Sequence, residues 1–117
     1  MPRRTDRQLS GDAGEAMAAA RLRTAGLQVM ETNFRVKGGE IDLVCRDGGT
    51  VVFVEVRRRA SVDFGGAAAS VGPAKQRRLI LAARHWLQRH GDHPCRFDVV
   101  AIDGDRLEWI KDAFRAD

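Results

Sequence analysis

Apolar residues recur at every second position at Ile41, Leu43 and Cys45, and again at Val52, Val54 and Val56. This alternation is typical of β-strands, and the Asp47-Gly48-Gly49 segment between the two runs favours a tight turn. We therefore predict a β-hairpin in which one face of each strand is core and the opposite face carries the polar side chains. The predicted core positions are Ile41, Leu43, Cys45, Val52, Val54 and Val56.

The pattern in the rest of the chain predicts two helices and three further strands. Asp12, with Glu15 three positions later, has the form of a capping box at the start of a helix, and Gly26 is a typical stop signal. Pro73 suits the first turn of the second helix. The predicted order is α-β-β-β-α-β-β, with elements at residues 12–25, 27–34, 40–46, 50–58, 73–90, 96–102 and 106–111.

This order of elements predicts an α/β protein with a mixed β-sheet flanked by helices. We expect residues 1–10 to form a flexible basic arm and residues 11–117 to form a single domain, because 117 residues suffice for one core. The small, Gly- and Ala-rich residues 60–72 predict a mobile loop. Apolar residues make up 44% of the chain, which excludes a wholly disordered protein.

Composition also bears on the cellular compartment. No apolar run approaches the roughly 20 residues that a membrane-spanning helix needs, and the first ten residues lack the apolar stretch of a secretory signal. Cys45 and Cys95 form no paired-cysteine motif, so a reducing compartment is favoured. We expect a cytoplasmic protein that has no membrane partner.

The positive charge is clustered in three short segments, although the formal net charge is only +4. A solvated surface is the simpler explanation for any one cluster. Three clusters around one candidate site favour a nucleic-acid partner, because such residues bind phosphates. The clusters are Arg3-Arg4-Arg7, Arg57-Arg58-Arg59 and Lys75-Arg77-Arg78.

The predicted hairpin brings two carboxylates together. If Gly48 and Gly49 are the turn residues, Asp42 lies opposite Glu55, and Glu40 lies opposite Arg57 one pleat further out. Directly opposed residues have Cβ atoms about 4.5–5.5 Å apart, and like charges there are destabilising. A divalent cation between them is one explanation, since Mg²⁺ prefers oxygen ligands. On spacing alone, an ordinary polar strand face is the simpler explanation.

The segments around these carboxylates resemble a nuclease motif. Residues 39–44 (GEIDLV) and 52–57 (VFVEVR) resemble the core of the PD-(D/E)xK, or restriction-endonuclease-like, superfamily. The chain more closely resembles the YraN family of small bacterial proteins, related to archaeal Holliday-junction resolvases. The segments that carry this closer resemblance are Gly14-Glu15, Asn33-Phe34-Arg35 and residues 75–78 (KQRR), 82–87 (AARHWL) and 96–100 (RFDVV).

The resemblance implies a metal-dependent endonuclease that hydrolyses phosphodiester bonds in DNA, such as branched or single-stranded structures. It also implies that Asp42, Glu55 and the Val56 carbonyl bind Mg²⁺ or Mn²⁺, and that the protein pairs as a homodimer, as related resolvases do. Glu40 is either an outer carboxylate or a partner for Arg57, and a helix-capping role explains Glu15 equally well. The implied catalytic set is Asp42, Glu55, Arg57, Glu15 and Gln76, and the implied nucleic-acid contacts are Arg58, Arg59, Lys75, Arg77 and Arg78.

One position departs from the nuclease pattern. The motif ends in lysine, whereas this chain has Arg57, which stays protonated and cannot act as a general base. A guanidinium can still hold a phosphate or stabilise developing negative charge. The departure leaves a second function open, namely a non-catalytic nucleic-acid-binding module with the same fold. Loss of either carboxylate would abolish cleavage in the first case and leave salt-sensitive binding intact in the second.

Overall fold

The computed structural model describes residues 6–58 and 71–116, with side chains over residues 13–58 and 71–116. It confirms the α/β class and the predicted order of elements. In the described residues, no helix is both long enough and apolar enough to cross a membrane. The elements are α1 (Asp6–Thr24), β1 (Gln28–Val36), β2 (Gly39–Asp47), β3 (Thr50–Arg58), α2 (Pro73–His90), β4 (Cys95–Asp103) and β5 (Arg106–Phe114).

The five strands form one mixed sheet in the order β1-β2-β3-β4-β5. Neighbouring strands are antiparallel except for β3 and β4, which run parallel. Parallel neighbours need a crossover connection, and α2 supplies it between β3 and β4. Glu55 on β3 is paired with Val99 on β4, so it lies on a central strand of the sheet.

Both faces of the sheet are buried, and the prediction of one polar face is wrong. Helix α1 packs over the core cluster that contains Leu43, Cys45 and Val52, whereas α2 packs over the cluster that contains Ile41 and Phe53. A helix on each face leaves central strands with nearly continuous apolar runs. Residues 51–54, which are all buried, are such a run.

Helix α1 begins at Asp6, six residues earlier than predicted, so residues 6–10 are helical and do not belong to an arm. The predicted capping box at Asp12 is therefore wrong. Gly11 disfavours a helix interior by only about 1 kcal/mol, which does not end a helix that packs on a sheet. Residues 1–5 and most of the predicted loop, residues 59–70, lie outside the described residues. The end of that predicted loop is ordered against the core, because Val71 is 2% exposed.

Helix α2 approaches the start of β2 unusually closely, at Gly39. A Cβ atom there would collide with the carbonyl oxygen of Arg78 and would lie 3.1 Å from the backbone nitrogen of Ala82. Only a residue without a side chain allows this approach. The contact places the first turn of α2 beside the residues that follow Gly39 on β2.

Candidate active site

The predicted register of the hairpin is confirmed. Cα pairs run from Asp47 with Thr50 at the turn to Leu43 with Val54. The strand pairing ends there, so the predicted pairs of Asp42 with Glu55 and of Glu40 with Arg57 are not part of the ladder. The two strands are also tied at this point, because the Val56 N–H donates a 2.8 Å hydrogen bond to Oδ2 of Asp42.

Glu55 is a buried carboxyl group whose loss of contact with water is only partly offset by hydrogen bonds and ion pairs in the described residues. It is 3% exposed, and its Oε2 atom has no hydrogen-bond partner among the described residues. Burial, followed by the negative charge of Asp42, raises the pKa of Glu55 to about 8. Burial also raises the pKa of Asp42, against the opposing effect of the Val56 N–H. The positive charges around Asp42 and Glu55 therefore do not fully balance the negative charge that the two groups would carry when ionised.

The nearest cation to Glu55 comes from α2. Lys75 Nζ lies 3.5 Å from Oε1 of Glu55 and 3.6 Å from Oε1 of Glu40, whereas Nη1 of Arg57 lies 3.9 Å from Oε1 of Glu55. Glu40 pairs with Lys75 and, at 3.5 Å, with Arg35. The structure thus brings Lys75, which the sequence placed among the nucleic-acid contacts of the second helix, into the carboxylate cluster.

Glu15 joins the same region from α1. Its Oε2 accepts a 3.1 Å hydrogen bond from Nδ2 of Asn33 on β1. Burial raises the pKa of Glu15, and the charges of Asp42 and Glu40 act in the same direction, which shows that the three carboxylates are neighbours. A capping role for Glu15 is excluded, since α1 begins nine residues earlier.

Sequence reasoning gave Asn33 no chemical role, although one signal was available. Asparagine is depleted in strands and tolerates a left-handed backbone conformation. Asn33 adopts such a conformation within β1, with φ of 54°. An asparagine inside a strand therefore marked a backbone irregularity that turns its amide toward Glu15.

The remaining predicted residues lie around this cluster or on α2. The amide of Gln76 donates a 2.9 Å hydrogen bond to the Val71 carbonyl, so it ties the first turn of α2 to the preceding segment. Arg77 and Arg78 are exposed on α2, and Arg58 is exposed at the end of β3. Arg59 lies outside the described residues.

The residues present fit a hard divalent cation. Among residues 13–58 and 71–116, no group of three or more His, Cys, Asp or Glu side chains is arranged to hold a metal. Two carboxylates and a backbone carbonyl are nevertheless a donor set that Mg²⁺ accepts, because this ion keeps several water ligands. The unpartnered Oε2 of Glu55 and the raised pKa of this group are what a cation would relieve.

A second buried carboxylate, Asp98 on β4, has a different environment. It accepts hydrogen bonds from Nε of Arg96 at 3.0 Å, from Nε1 of Trp109 at 2.9 Å and from the backbone N–H of Asp112 at 2.9 Å. Its oxygens are fully engaged with β4 and β5. These contacts give Asp98 a structural role, since they join β4 to β5.

Comparison with known proteins identifies the family. A model of the uncharacterised protein family UPF0102 matches residues 14–102, a range that includes every residue of the cluster. A UPF0102 protein of Dechloromonas aromatica (strain RCB) is 58% identical over 107 residues, which cover 92% of this chain and 89% of the relative. A UPF0102 protein of Janthinobacterium sp. (strain Marseille) is 56% identical over 114 residues, which cover 97% of this chain and 93% of the relative. One of Ralstonia pickettii (strain 12J) is 59% identical over 114 residues, which cover 92% of this chain and 91% of the relative. The chain therefore belongs to family UPF0102, the YraN family.

Proposed function

We propose that this protein is a metal-dependent endonuclease that hydrolyses phosphodiester bonds in DNA. The observation that carries the proposal is the convergence of Asp42 and Glu55, both largely buried, with Oε2 of Glu55 left without a partner among the described residues. Placing two carboxylates together in a core costs free energy. Strongly perturbed pKa values of this kind cluster at functional sites.

The metal ligands in this proposal are Asp42, Glu55 and the Val56 carbonyl. Mg²⁺ or Mn²⁺ bound there would neutralise a phosphate and lower the pKa of a bound water. The Val56 N–H holds Asp42 in place through its 2.8 Å hydrogen bond. A hydrogen bond to a metal-binding carboxylate orients it and is expected to affect metal affinity.

Lys75 supplies the cation that the nuclease motif normally places on the strand. Its ammonium group lies between Glu40 and Glu55, at 3.6 and 3.5 Å, and its side chain is 24% exposed. It can reach a phosphate at the mouth of the site and stabilise the negative charge that develops during hydrolysis. Arg57, at 36% exposure, offers a guanidinium fork to another phosphate oxygen. Glu15 and Asn33 fix the outer edge of the site.

The alternative, a non-catalytic binding module, draws support from the same lysine. The ion pairs of Lys75 with Glu40 and Glu55 partly neutralise the carboxylates without any metal. A module of this kind would keep the fold and the basic surface while losing the chemistry. The two functions differ in their dependence on Asp42 and Glu55.

The deciding experiment is cleavage of labelled linear duplex, single-stranded and four-way-junction DNA in the presence of Mn²⁺ or Mg²⁺. We expect the wild type to cleave at least one of these substrates. The variant Asp42→Ala/Glu55→Ala should fail to do so while retaining DNA binding. Binding without cleavage by both proteins on every substrate would favour the binding module.

Location is part of the proposal. Cys45 and Cys95 are both free thiols in the structure, as a reducing compartment would keep them. We place the protein in the cytoplasm, where DNA is available to it.

A further inference from the structure

The exposed side of α2 carries positive charge and no negative charge. The sequence of α2 contains five Lys or Arg residues and no Asp or Glu. The formal net charge of the chain is +4, so the residues outside α2 sum to −1. The positive character of the protein is therefore concentrated on this one helix. The solvent-facing arginines of α2, which we call the basic face, are Arg77, Arg78, Arg84 and Arg89.

The two sides of α2 are clearly divided. Arg77 and Arg84 are seven residues apart, which is close to two helical turns, so they project on the same side. The opposite side of the helix packs into the core. Its buried residues are Leu79, Ala82, Ala83 and Trp86. Arg77 and Arg84 thus point away from the sheet, whereas Arg78 and Arg89 project from the flank of the helix beside Ala82.

No carboxylate among the described residues forms a salt bridge with the basic face. Within the described ranges, the salt bridges of arginine involve Arg35, Arg57, Arg96 and Arg115, and none involves the basic face. Arg89 lies 5.4 Å over the ring of Phe34, a contact that leaves its hydrogen-bond donors available. The first turn of α2 also lacks an acidic residue, so its cations oppose the helix dipole. An anionic ligand would remove this unfavourable arrangement.

The basic face and the candidate active site share helix α2, although Lys75 projects toward the sheet and Arg77 and Arg84 project away from it. Lys75, which contacts Glu55, lies in the first turn of α2, and Arg89 lies in the last turn. The fourteen residues between them span about 21 Å along the helix axis.

We propose that the basic face binds the phosphate backbone of the nucleic acid that is cleaved at the active site. This inference rests on the proposed function for the cleavage of that nucleic acid. The contacts are to phosphates, so they fix the register of the substrate without reading its bases. Binding through the basic face is therefore independent of sequence and sensitive to salt.

The test compares two variants that lose the same charge. Arg77→Gln/Arg84→Gln removes two residues of the basic face, and Arg23→Gln/Arg115→Gln removes two exposed arginines on α1 and beyond β5. Fluorescence anisotropy in EDTA measures binding to DNA duplexes that are longer than helix α2. The measurement covers a range of salt concentrations and two unrelated DNA sequences. We expect the first variant to bind at least several-fold more weakly and its log K against log salt slope to fall by about 1.8, while the control stays near wild type.

Other results would overturn the inference. An equal loss in the control variant would show a general effect of net charge and not a binding face. A loss with only one of the two sequences would indicate base recognition. An RNA duplex of the same sequence should show the same loss, because the phosphates are shared, and a loss limited to one nucleic acid would also overturn backbone recognition.

A second experiment tests the active site without the basic face, so that failure of the nuclease proposal can be told apart from failure of this inference. Hydrolysis of bis(p-nitrophenyl) phosphate with Mn²⁺ tests the active site with a diester too small to reach Arg84. Arg84→Gln should hydrolyse it at the wild-type rate, and Asp42→Ala should not hydrolyse it. If the wild type is inactive but the salt slope still changes as expected, the nuclease proposal fails and the basic face remains a phosphate-binding surface.

Discussion

Glu55 makes the stability of this protein depend on pH. Burial, followed by the charge of Asp42, raises its pKa from 4.5 to about 8 in the folded state. Between these values the folded protein holds a proton that the unfolded chain releases, so the free energy of unfolding falls as pH rises through this window. We expect the thermal midpoint of the metal-free protein to fall accordingly, and Glu55→Gln to lack this part of the fall.

Calorimetry or circular dichroism in EDTA across the window gives the comparison, with the difference between wild type and Glu55→Gln isolating this one group. Added Mg²⁺ should raise the wild-type midpoint more at the alkaline end, because the ion binds ionised carboxylates. Parallel pH profiles for the two proteins would contradict the assignment of the raised pKa to Glu55.

Lys75 and Arg57 are both candidates for stabilising the negative charge that develops during hydrolysis, and Lys75 lies closer to Glu55. Lys75 lies 3.5 Å from Glu55 and Arg57 lies 3.9 Å from it. We expect Lys75→Met to lower kcat for DNA cleavage by about 10²-fold and Arg57→Met to lower it less. Because Lys75 lowers the pKa of Glu55, its loss should also shift the acidic limb of the pH profile to higher pH.

The measurement is single-turnover cleavage of the preferred DNA substrate over a range of pH, with binding in EDTA measured beside it. A larger loss for Arg57→Met would return the role to the strand residue. An unshifted pH profile for Lys75→Met would show that the lysine does not act on Glu55.

Individual residues also show which contacts of the site could be predicted from the sequence. The proximity of Asp42 to Glu55 was predictable because a short turn at Gly48-Gly49 determines the register of a local hairpin, which pairs their neighbours Leu43 and Val54. The position of Lys75 was not, because it depends on how a helix docks after an intervening segment of the chain. The contact of Asn33 with Glu15 likewise joins elements 18 residues apart, and periodicity carries no information about it.

At the scale of elements, the docking of α2 depends on Gly39. A methyl group there would overlap the Arg78 carbonyl and press on Ala82 at 3.2 Å. We expect Gly39→Ala to destabilise the protein by about 1–3 kcal/mol, the usual cost of overpacking, and to weaken catalysis by displacing Lys75.

Gly49→Ala is the matched control, because nothing lies within 4 Å of a Cβ atom at that position. Urea denaturation reports stability, and cleavage by the folded variants reports the site. Equal stability of the two variants would show that α2 can move away from β2 without cost.

The errors at this scale share one cause. A polar second face was predicted for the hairpin because the period-two pattern identifies alternating positions but not what covers them. Phe53 and Val44 are buried by α2, a helix that forms the crossover of a parallel pair. The start of α1 was placed too late for a related reason. Propensity and capping signals are weaker than packing against a sheet.

At the scale of the whole molecule, β3 and β4 carry two buried carboxylates that have opposite relations to stability. Asp98, paired with Val54, accepts hydrogen bonds from Arg96, Trp109 and Asp112 and joins β4 to β5. Glu55, one position further along β3, has an oxygen without a partner in the described part of the chain and a pKa raised by burial and Asp42. Satisfied groups of the first kind stabilise a fold, and groups of the second kind are retained at functional sites.

The same conservative change should therefore have opposite effects on the two carboxylates. We expect Asp98→Asn to lower the free energy of unfolding by about 3 kcal/mol, because it removes one partner of a buried charged pair. Glu55→Gln should raise the thermal midpoint in EDTA at mildly alkaline pH, where the wild-type carboxylate is ionised. It should also abolish cleavage, whereas Asp98→Asn should leave cleavage by the folded fraction intact. If Glu55→Gln destabilised the protein as much as Asp98→Asn, both carboxylates would be structural and the case for an active site at Asp42 and Glu55 would fail.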